Sequence, residues 1–317
     1  MSMRQINKIL VIVDPTADTH PGVEKAGALA QKLDARLELF ICDSKAVRQA
    51  RLAARARVRT PPDPARSSAA DPAALLESLA EPLRAGGIAV TTETECVDLL
   101  LLGLIDRTRR TTADLVVKDT HHHSLLRRTL LTNTDWQLIR SCPAPLLLTK
   151  PAPWRAPPQI VAAIDPGHVN DKPEALDHDI LGYAAAVAAG LHGDLHALHA
   201  YLPMAVMAAA AAVPPLVAAV SDQDLKAEEE ARRKEIAALV AGYGIDLKRI
   251  RLEVGGPVEV LPRAAASLHA DIMVLGAISR SGLQRAFIGS TAEDVLEQLP
   301  CDALIVKPPN FADLLPF

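Results

Sequence analysis

The sequence predicts an α/β protein made of two tandem domains, each with a doubly wound parallel sheet. Its 317 residues are about twice the usual length of one domain. Apolar strand patterns alternate with helical patterns along the chain, which is typical of a parallel sheet covered by helices on both faces. The pattern also restarts halfway, since KILVIVDP at residues 8–15 returns as QIVAAIDP at residues 159–166. A tandem duplication explains these observations.

The first half contains five predicted strands that alternate with helices. The strand segments are short and mostly apolar, and the helical segments place apolar residues at i, i+3 and i+4 or stop at glycine. The predicted strands are residues 8–14, 36–42, 88–96, 114–118 and 144–150. The predicted helices are residues 23–33, 73–85, 97–110 and one that opens near Thr132.

The second half repeats this order after a proline-rich connection. Residues 150–158 carry four prolines in nine positions, which indicates a linker between domains. We therefore divide the chain into a first domain at residues 1–150, a linker at residues 151–158 and a second domain at residues 159–317. The predicted strands of the second half are residues 159–165, 194–200, 249–254, 272–275 and 303–307. The predicted helices are residues 174–189, 224–241, 257–268 and one that begins at Ser290. We expect the domains to pack as an internal pseudo-dimer through their last strands.

The composition limits the classes of function. A net charge of −4 argues against a protein whose main partner is nucleic acid. The four cysteines are far apart and match neither a zinc module nor a disulfide framework, so we predict no metal site and a reducing compartment. The apolar run before Asp14 is too short for a signal sequence. We therefore expect a cytoplasmic protein.

One long apolar segment, residues 202–220, needs a separate interpretation. It is long enough to span a bilayer, but it is mostly alanine, and Pro214-Pro215 would interrupt a helix near its middle. We therefore expect no membrane insertion. Because the segment follows a strand end, where open α/β sheets bind ligands, it predicts a lid or lining of an apolar cavity in the second domain. Packing between the two halves is the alternative.

The most informative stretch is DIMVLGAISRSGLQRAFIGSTAE at residues 271–293. A strand ends at Gly276, a Gly/Ser loop follows, and a helix opens at Ser290 with the capping pattern Ser-x-x-Glu. Small residues let the backbone approach a ligand, and the amide groups at the start of a helix favour an anion. The pattern favours a phosphate site, and the alternative is a βα loop followed by an ordinary capped helix.

Four arginines fall on one helical face in the first half. They are Arg48, Arg51, Arg55 and Arg59. This face indicates either a basic stripe for phosphates, nucleic acid or an anionic membrane, or a solvated helix face beside a flexible connection.

The histidines and the remaining polar residues give no catalytic or metal site. Three consecutive histidines, residues 121–123, cannot readily converge on one ion, so we expect a solvent-facing loop there. His196 and His199 lie three positions apart in a strand, hence on opposite faces. The chain has neither a nucleophile elbow nor a P-loop. Binding without a catalytic residue is therefore the predicted activity.

With the repeat established, the chain resembles the universal stress protein family, and within it the tandem, two-domain E-type members of bacteria. The resemblance covers essentially the whole chain. The residues that carry it are Asp14, Asp165 and the segments 134–136, 138–143, 276–293 and 301–308. It implies two domains of the adenine nucleotide alpha hydrolase-like, universal stress protein fold. It also implies a role in stress resistance through binding and signalling, with at most weak ATP hydrolysis.

The resemblance implies one ATP site, in the second domain. ATP-binding members carry Gly-x-x-Gly, nine residues, and then Gly-Ser or Gly-Thr; Gly276, Gly289 and Ser290 match, and Ser279 replaces the second glycine. In the family manner the loop amides would hold the phosphates, Ser290 would contact a terminal phosphate, and Asp165 would lie near the adenosine. The nucleotide-binding residues implied in this way are Asp165, Gly276, Ser279, Gly289, Ser290 and Thr291.

The first domain departs further from the family motif, which implies a degenerate site. In that comparison Lys118 replaces the strand-end glycine, His121 stands where the next glycine would fall, and Thr132-Asn133 replaces Gly-Ser. Two other functions stay open. One is a non-nucleotide sensor or carrier of an apolar small molecule. The other is a scaffold in which both sites are vestigial and the arginine face contacts a partner. The two halves associate in each case, and a homodimer is a further assembly.

Overall fold

A computed structural model describes residues 3–45, 48–49, 71–123, 128–166, 175–204, 206–207, 221–276, 290–308 and 311. The predicted arginine face lies mostly outside these residues, since only Arg48 of its four members is described. Ser279 and Gly289 of the predicted nucleotide loop also lie outside them.

Strands and helices alternate through both halves of the described chain. The strands are β1 (Lys8–Ile12), β2 (Arg36–Cys42), β3 (Val90–Glu95), β4 (Leu115–Asp119), β5 (His121–His123), β6 (Arg128–Leu130), β7 (Leu146–Thr149), β8 (Gln159–Ala163), β9 (Asp194–Tyr201), β10 (Ile250–Val254), β11 (Ile272–Gly276) and β12 (Asp302–Val306). The helices are α1 (Pro21–Leu33), α2 (Pro72–Ala85), α3 (Leu100–Thr111), α4 (Asn133–Ser141), α5 (Ala175–Leu191), α6 (Asp222–Val240), α7 (Pro257–Ser267) and α8 (Ser290–Gln298). No helix within the described ranges is both long and apolar enough to cross a membrane.

The chain divides into two compact units. The first unit comprises Gln5–Trp154 together with Asp302–Phe317, and the second comprises Met1–Arg4 together with Arg155–Cys301. These units differ from the domains defined by sequence at both ends of the chain. The difference arises because residues near each end bond to the other half of the sequence.

The sheet of the first unit has the strand order β12-β7-β4-β1-β2-β3. All neighbours in it are parallel except β7 and β12, which are antiparallel with Leu147 opposite Leu304. The central strands are apolar and buried along their length, as expected for strands covered on both faces; Ile9 and Leu115 are fully buried. The last strands of the two sequence halves therefore pair with each other, in agreement with the sequence-based expectation.

Asp302, the first residue of β12, anchors that strand in the first unit. Its carboxylate accepts hydrogen bonds from Lys25 Nζ at 2.7 Å and from the backbone amide of Lys150 at 2.8 Å. It also accepts one from Trp154 Nε1 at 2.7 Å. The Lys25 and Asp302 side chains are almost completely buried, so the ion pair between them is shielded from water.

Lys307, directly after β12, caps the C-terminal end of α4. Its buried ammonium group donates hydrogen bonds to the carbonyl oxygens of Ile139 and Cys142, which have no partner inside the helix at this end. A cation at the C-terminus of a helix is also favoured by the helix dipole. The Phe311 ring covers the ammonium, with its centroid 4.0 Å from Nζ.

The second unit has a parallel sheet with the strand order β10-β9-β8-β11. The N-terminal segment belongs to it: the Arg4 amide donates to the Gly182 carbonyl at 3.3 Å, and Arg4 Nε donates to Asp179 Oδ1 at 2.9 Å. The carboxyl ends of β8, β9 and β11 meet at one edge of this sheet, since parallel strands share their direction. That edge carries the predicted nucleotide site.

One predicted loop is partly extended backbone. Residues 121–123 form β5, which pairs antiparallel with Arg128–Leu130 and places His121 opposite Leu130. Three consecutive histidines show no alternation of apolar and polar residues, so the sequence pattern did not reveal this strand.

We predict that Lys307 makes the stability of the protein rise with pH above neutrality. Burial lowers the pKa of Lys307 to about 8 from 10.5. The native state therefore loses the proton first, and between these two values the unfolded state binds more protons, which favours the native state as pH increases. Unfolding free energies of wild type and Lys307→Met, measured by urea titration from pH 7 to 10.5, should show wild type gaining stability relative to the variant. A difference that stays constant with pH would contradict this prediction. Burial also raises the pKa of the facing Cys142 thiol, and this thiol is present in both proteins.

Candidate functional site

Asp165 lies at the carboxyl edge of the second sheet, two residues after β8 ends. Its backbone amide donates to Asp177 Oδ1 at 3.2 Å, and Asp177 is buried in the first turn of α5. The Asp165 side chain is 58% exposed. The strand end is therefore fixed by α5, and the carboxylate at its tip faces solvent.

Gly276 ends β11 beside the same turn of α5. A Cβ on Gly276 would lie 2.6 Å from Leu176 Cδ2 and 3.3 Å from Ile180 Cδ1. A side chain at this position would therefore displace the end of the buried Leu176 side chain, whatever the loop beyond it binds. Gly276 and Asp165 therefore both lie beside the first turn of α5.

His199 is a member of this edge that the sequence reasoning did not assign. It is buried, its Nδ1 lies 3.1 Å from the Ile164 carbonyl oxygen, and the same atom lies 3.9 Å from Asp165 Oδ1. Because a carbonyl only accepts, Nδ1 carries the proton and Nε2 is the acceptor in the neutral ring. Burial lowers the pKa of His199, which favours that neutral form. Nε2 is buried and has no hydrogen-bond partner among the described residues.

A chain of contacts continues from His199 to α6. The rings of His199 and Tyr201 stack with centroids 5.8 Å apart, and the Arg232 guanidinium lies 4.9 Å from the Tyr201 centroid. Arg232 pairs with Glu228 at 2.9 Å, and Glu228 accepts a hydrogen bond from the Met204 amide at 3.0 Å. These contacts attach the start of the apolar segment to α6. Most of that segment, residues 205 and 208–220, lies outside the described residues, so its predicted role as a lid stays a prediction.

Ser290 and Thr291, the other described members of the predicted site, stand at the start of α8. This helix begins at Ser290, as the sequence predicts, and Thr291 is half-buried in its first turn. The amide groups of the first turn of an α-helix have no partner inside the helix, and they form a site that anions favour.

The strand register corrects the sequence comparison for the first domain. Ile9 pairs with Leu115 in the first sheet, and its counterpart Ile160 pairs with Ile272 in the second. Counting along the strands from these pairs, Gly276 corresponds to Asp119, and Lys118 corresponds to Leu275. The expectation that Lys118 replaces the strand-end glycine is therefore wrong by one position, since Asp119 stands there. By the same count, His122 and not His121 corresponds to Ser279.

Lys118 and Asp135 fill the first-domain edge with a buried ion pair. Lys118 Nζ lies 2.7 Å from Asp135 Oδ1 and donates to the Asp119 carbonyl at 2.9 Å. Asp135 is fully buried in the first turn of α4, where it forms a capping box with Thr132. The amides of Thr132 and Asp135 are both bonded within this box, at 2.7 and 3.2 Å. The helix start therefore presents a carboxylate where a phosphate site needs free amides.

A small cavity of about 140 Å³ remains beside this ion pair. Its apolar wall consists of residues at the ends of β1 and β2 and the start of α3, namely Ile12, Val13, Pro15, Cys42, Leu100 and Leu104. Its polar wall consists of Asp14, Lys118, Thr132 and Thr134. Burial raises the pKa of the Cys42 thiol to about 12, so Cys42 contributes a neutral surface. Nucleotide pockets need roughly 300–1,000 Å³, so this cavity is too small for ATP.

Two other features of the described residues do not form a site. A wider groove of about 470 Å³ is lined by one helix alone, at residues such as Gln223 and Lys226 of α6. Within the described ranges, no group of three or more His, Cys, Asp or Glu side chains is arranged to hold a metal ion.

We predict that Lys118 and Asp135 stabilise the first unit only as a pair. Lys118→Met should lower the free energy of unfolding by about 3–5 kcal/mol, because it leaves a buried carboxylate without its cation. The double variant Lys118→Met with Asp135→Asn should recover much of that loss in chemical denaturation. As a control, Arg233→Met breaks a half-exposed pair with Glu229 and should cost less than about 1 kcal/mol. Equal losses in the single and the double variant would show that the pair is not coupled.

Comparison with known proteins identifies the family. The chain matches the universal stress protein family twice, over residues 5–150 and 159–307. It is 27% identical over 325 aligned residues to universal stress protein E of Escherichia coli K12, with 98% of this chain and 96% of that protein covered. A homologue of that protein from Haemophilus influenzae is 31% identical over 62% of each chain.

Solved structures share the fold of this chain. A protein of unknown function from Pseudomonas aeruginosa PAO1 superimposes with a TM-score of 0.73 at 27% identity, over 97% of this chain and 95% of that chain. A universal stress protein from Archaeoglobus fulgidus has the same fold, with a TM-score of 0.63 at 15% identity over 96% of this chain and 99% of that chain. The chain therefore belongs to the universal stress protein family, as a member with two tandem domains.

Proposed function

We propose that this protein acts in the stress response by binding ATP at the carboxyl edge of its second domain. The site comprises Asp165, Gly276, Ser279, Gly289, Ser290 and Thr291. The first domain binds no nucleotide, since its edge is occupied by the Lys118–Asp135 pair.

A difference between the two domains carries this proposal. Three charged residues of the first edge, Lys118, Asp119 and Asp135, correspond by strand register and helix start to Leu275, Gly276 and Ala292. The second edge therefore has no counterpart of the buried Asp135 carboxylate, which opposes a phosphate at the start of α4 in the first domain. It also lacks the lysine that fills the space beside that carboxylate.

The geometry around Asp165 supports an adenosine subsite next to the phosphates. The Asp165 carboxylate is exposed and can accept hydrogen bonds from a ligand. Sugar hydroxyls and the adenine amino group are donors, so acceptors suit this end of the nucleotide. The donors that phosphates need lie at the start of α8.

Binding without efficient catalysis fits these residues. Asp165 is the carboxylate of this edge that faces solvent, and the sequence supplies no nucleophile, base and orienting acid in the spacing of a known hydrolase motif. We propose at most weak ATP hydrolysis, a cytoplasmic location, and assembly through the two halves with a homodimer as a further state.

Isothermal titration of the full-length protein with ATP tests this proposal. Wild type should bind one ATP per chain, and Gly289→Trp should abolish binding because the indole fills the phosphate loop. Ser279→Gly should tighten binding by about tenfold, because glycine lets the backbone approach the phosphates more closely. Leu247→Trp is the control, since Leu247 is 62% exposed in the same domain and far from the loop in sequence.

Several outcomes would contradict the proposal. They are no heat of binding in wild type, equal binding in Gly289→Trp, or two equivalent sites per chain.

Native mass spectrometry of the purified protein would then separate the other functions. A co-purifying apolar molecule would indicate a sensor or carrier, and an empty protein would indicate a scaffold.

A further inference from the structure

The small cavity of the first domain has the size of a single ring. A protein cavity of about 150 Å³ lined by apolar side chains holds a benzene molecule, and this cavity measures about 140 Å³. Its apolar wall includes Leu104, which is 1% exposed, and Ile12, which is 6% exposed. An occupant of about six to eight non-hydrogen atoms would therefore replace water against a mostly apolar surface.

The charges around the cavity disfavour an anion. Lys118 is already paired with Asp135 at 2.7 Å, and its ammonium donates to the Asp119 carbonyl. Asp14 places a carboxylate in the lining itself. Lys118, Asp135 and Asp14 together carry one excess negative charge, so a carboxylate or phosphate placed here would meet net repulsion in a poorly solvated space.

The polar members of the lining lie near the ends of strands and at a helix start. They are Asp14 after β1, Lys118 in β4, and Thr132 and Thr134 at the start of α4. The Thr132 hydroxyl is already bonded to Asp135, so Asp14 and Thr134 are the groups that can accept a hydrogen bond from a neutral ligand. One polar atom on an otherwise apolar ligand would match this lining.

We propose that the first domain binds a small neutral molecule with a ring-sized apolar body and one hydroxyl group, of the phenol class. The site lies at the carboxyl edge of the first sheet, where the ion pair of Lys118 and Asp135 disfavours a phosphate and an uncharged ligand meets no such opposition. This inference is independent of ATP binding in the second domain.

Methyl-detected NMR titration of the full-length protein tests the proposal, with phenol as the probe and benzoate as the charged comparison. Phenol should shift the methyl signals of Ile12, Val13 and Leu104, and benzoate should bind at least about tenfold more weakly. Leu100→Trp should weaken phenol binding by at least about tenfold, because the indole fills the cavity. Leu99→Trp is the matched control, since Leu99 precedes α3, is 62% exposed and does not line the cavity.

A second variant keeps the test independent of folding defects. Thr134→Val preserves the size of the side chain and should weaken binding of phenol while leaving binding of toluene unchanged. The proposal is overturned if phenol shifts no cavity methyl group, if benzoate binds as tightly as phenol, or if Leu100→Trp and Leu99→Trp respond alike.

Discussion

The carboxylate of Asp302 is the constraint on which the first compact unit depends. It is 2% exposed and accepts hydrogen bonds from Lys25, Lys150 and Trp154, all of which precede the second domain in the sequence. Burial raises the pKa of Asp302 and the Lys25 cation opposes that shift, so the charged form is tolerable only while these donors are in place. Because Asp302 opens β12, its bonds place the last strand of the second half inside the first unit.

The carboxyl edges of the two duplicated sheets carry different side chains. In the first domain a lysine and an aspartate neutralise each other at the start of α4, which leaves a small space with one apolar wall. In the second domain the corresponding positions are Leu275 and Ala292, and the exposed Asp165 and the start of α8 border an edge without that pair. In our proposals, this difference of a few charged side chains is what separates a phosphate site in the second domain from a neutral-ligand site in the first.

Most of the fold could be predicted from the sequence, because apolar runs and helical periodicity mark buried strands and amphipathic helices directly. The strand at residues 121–123 could not, since its histidines carry no alternation. The sequence comparison aligned Lys118 with Gly276, one residue away from the correct partner, because the glycine motif has no counterpart in the first half. The pairing of Ile9 with Leu115 and of Ile160 with Ile272 fixes the alignment of the two strands. His199 was overlooked for a related reason: its bond to the Ile164 carbonyl depends on how two strands lie together, which spacing within one strand does not show.

Native-state hydrogen exchange most directly tests the claim that β12 completes the first unit. The amides of Ala303, Leu304 and Ile305 should exchange with the opening free energy and denaturant dependence of β7 and β4 amides, because these strands share one cooperative core. If the β12 amides instead open together with those of β8 and β9, the strand belongs energetically to the second unit, and the claim is contradicted.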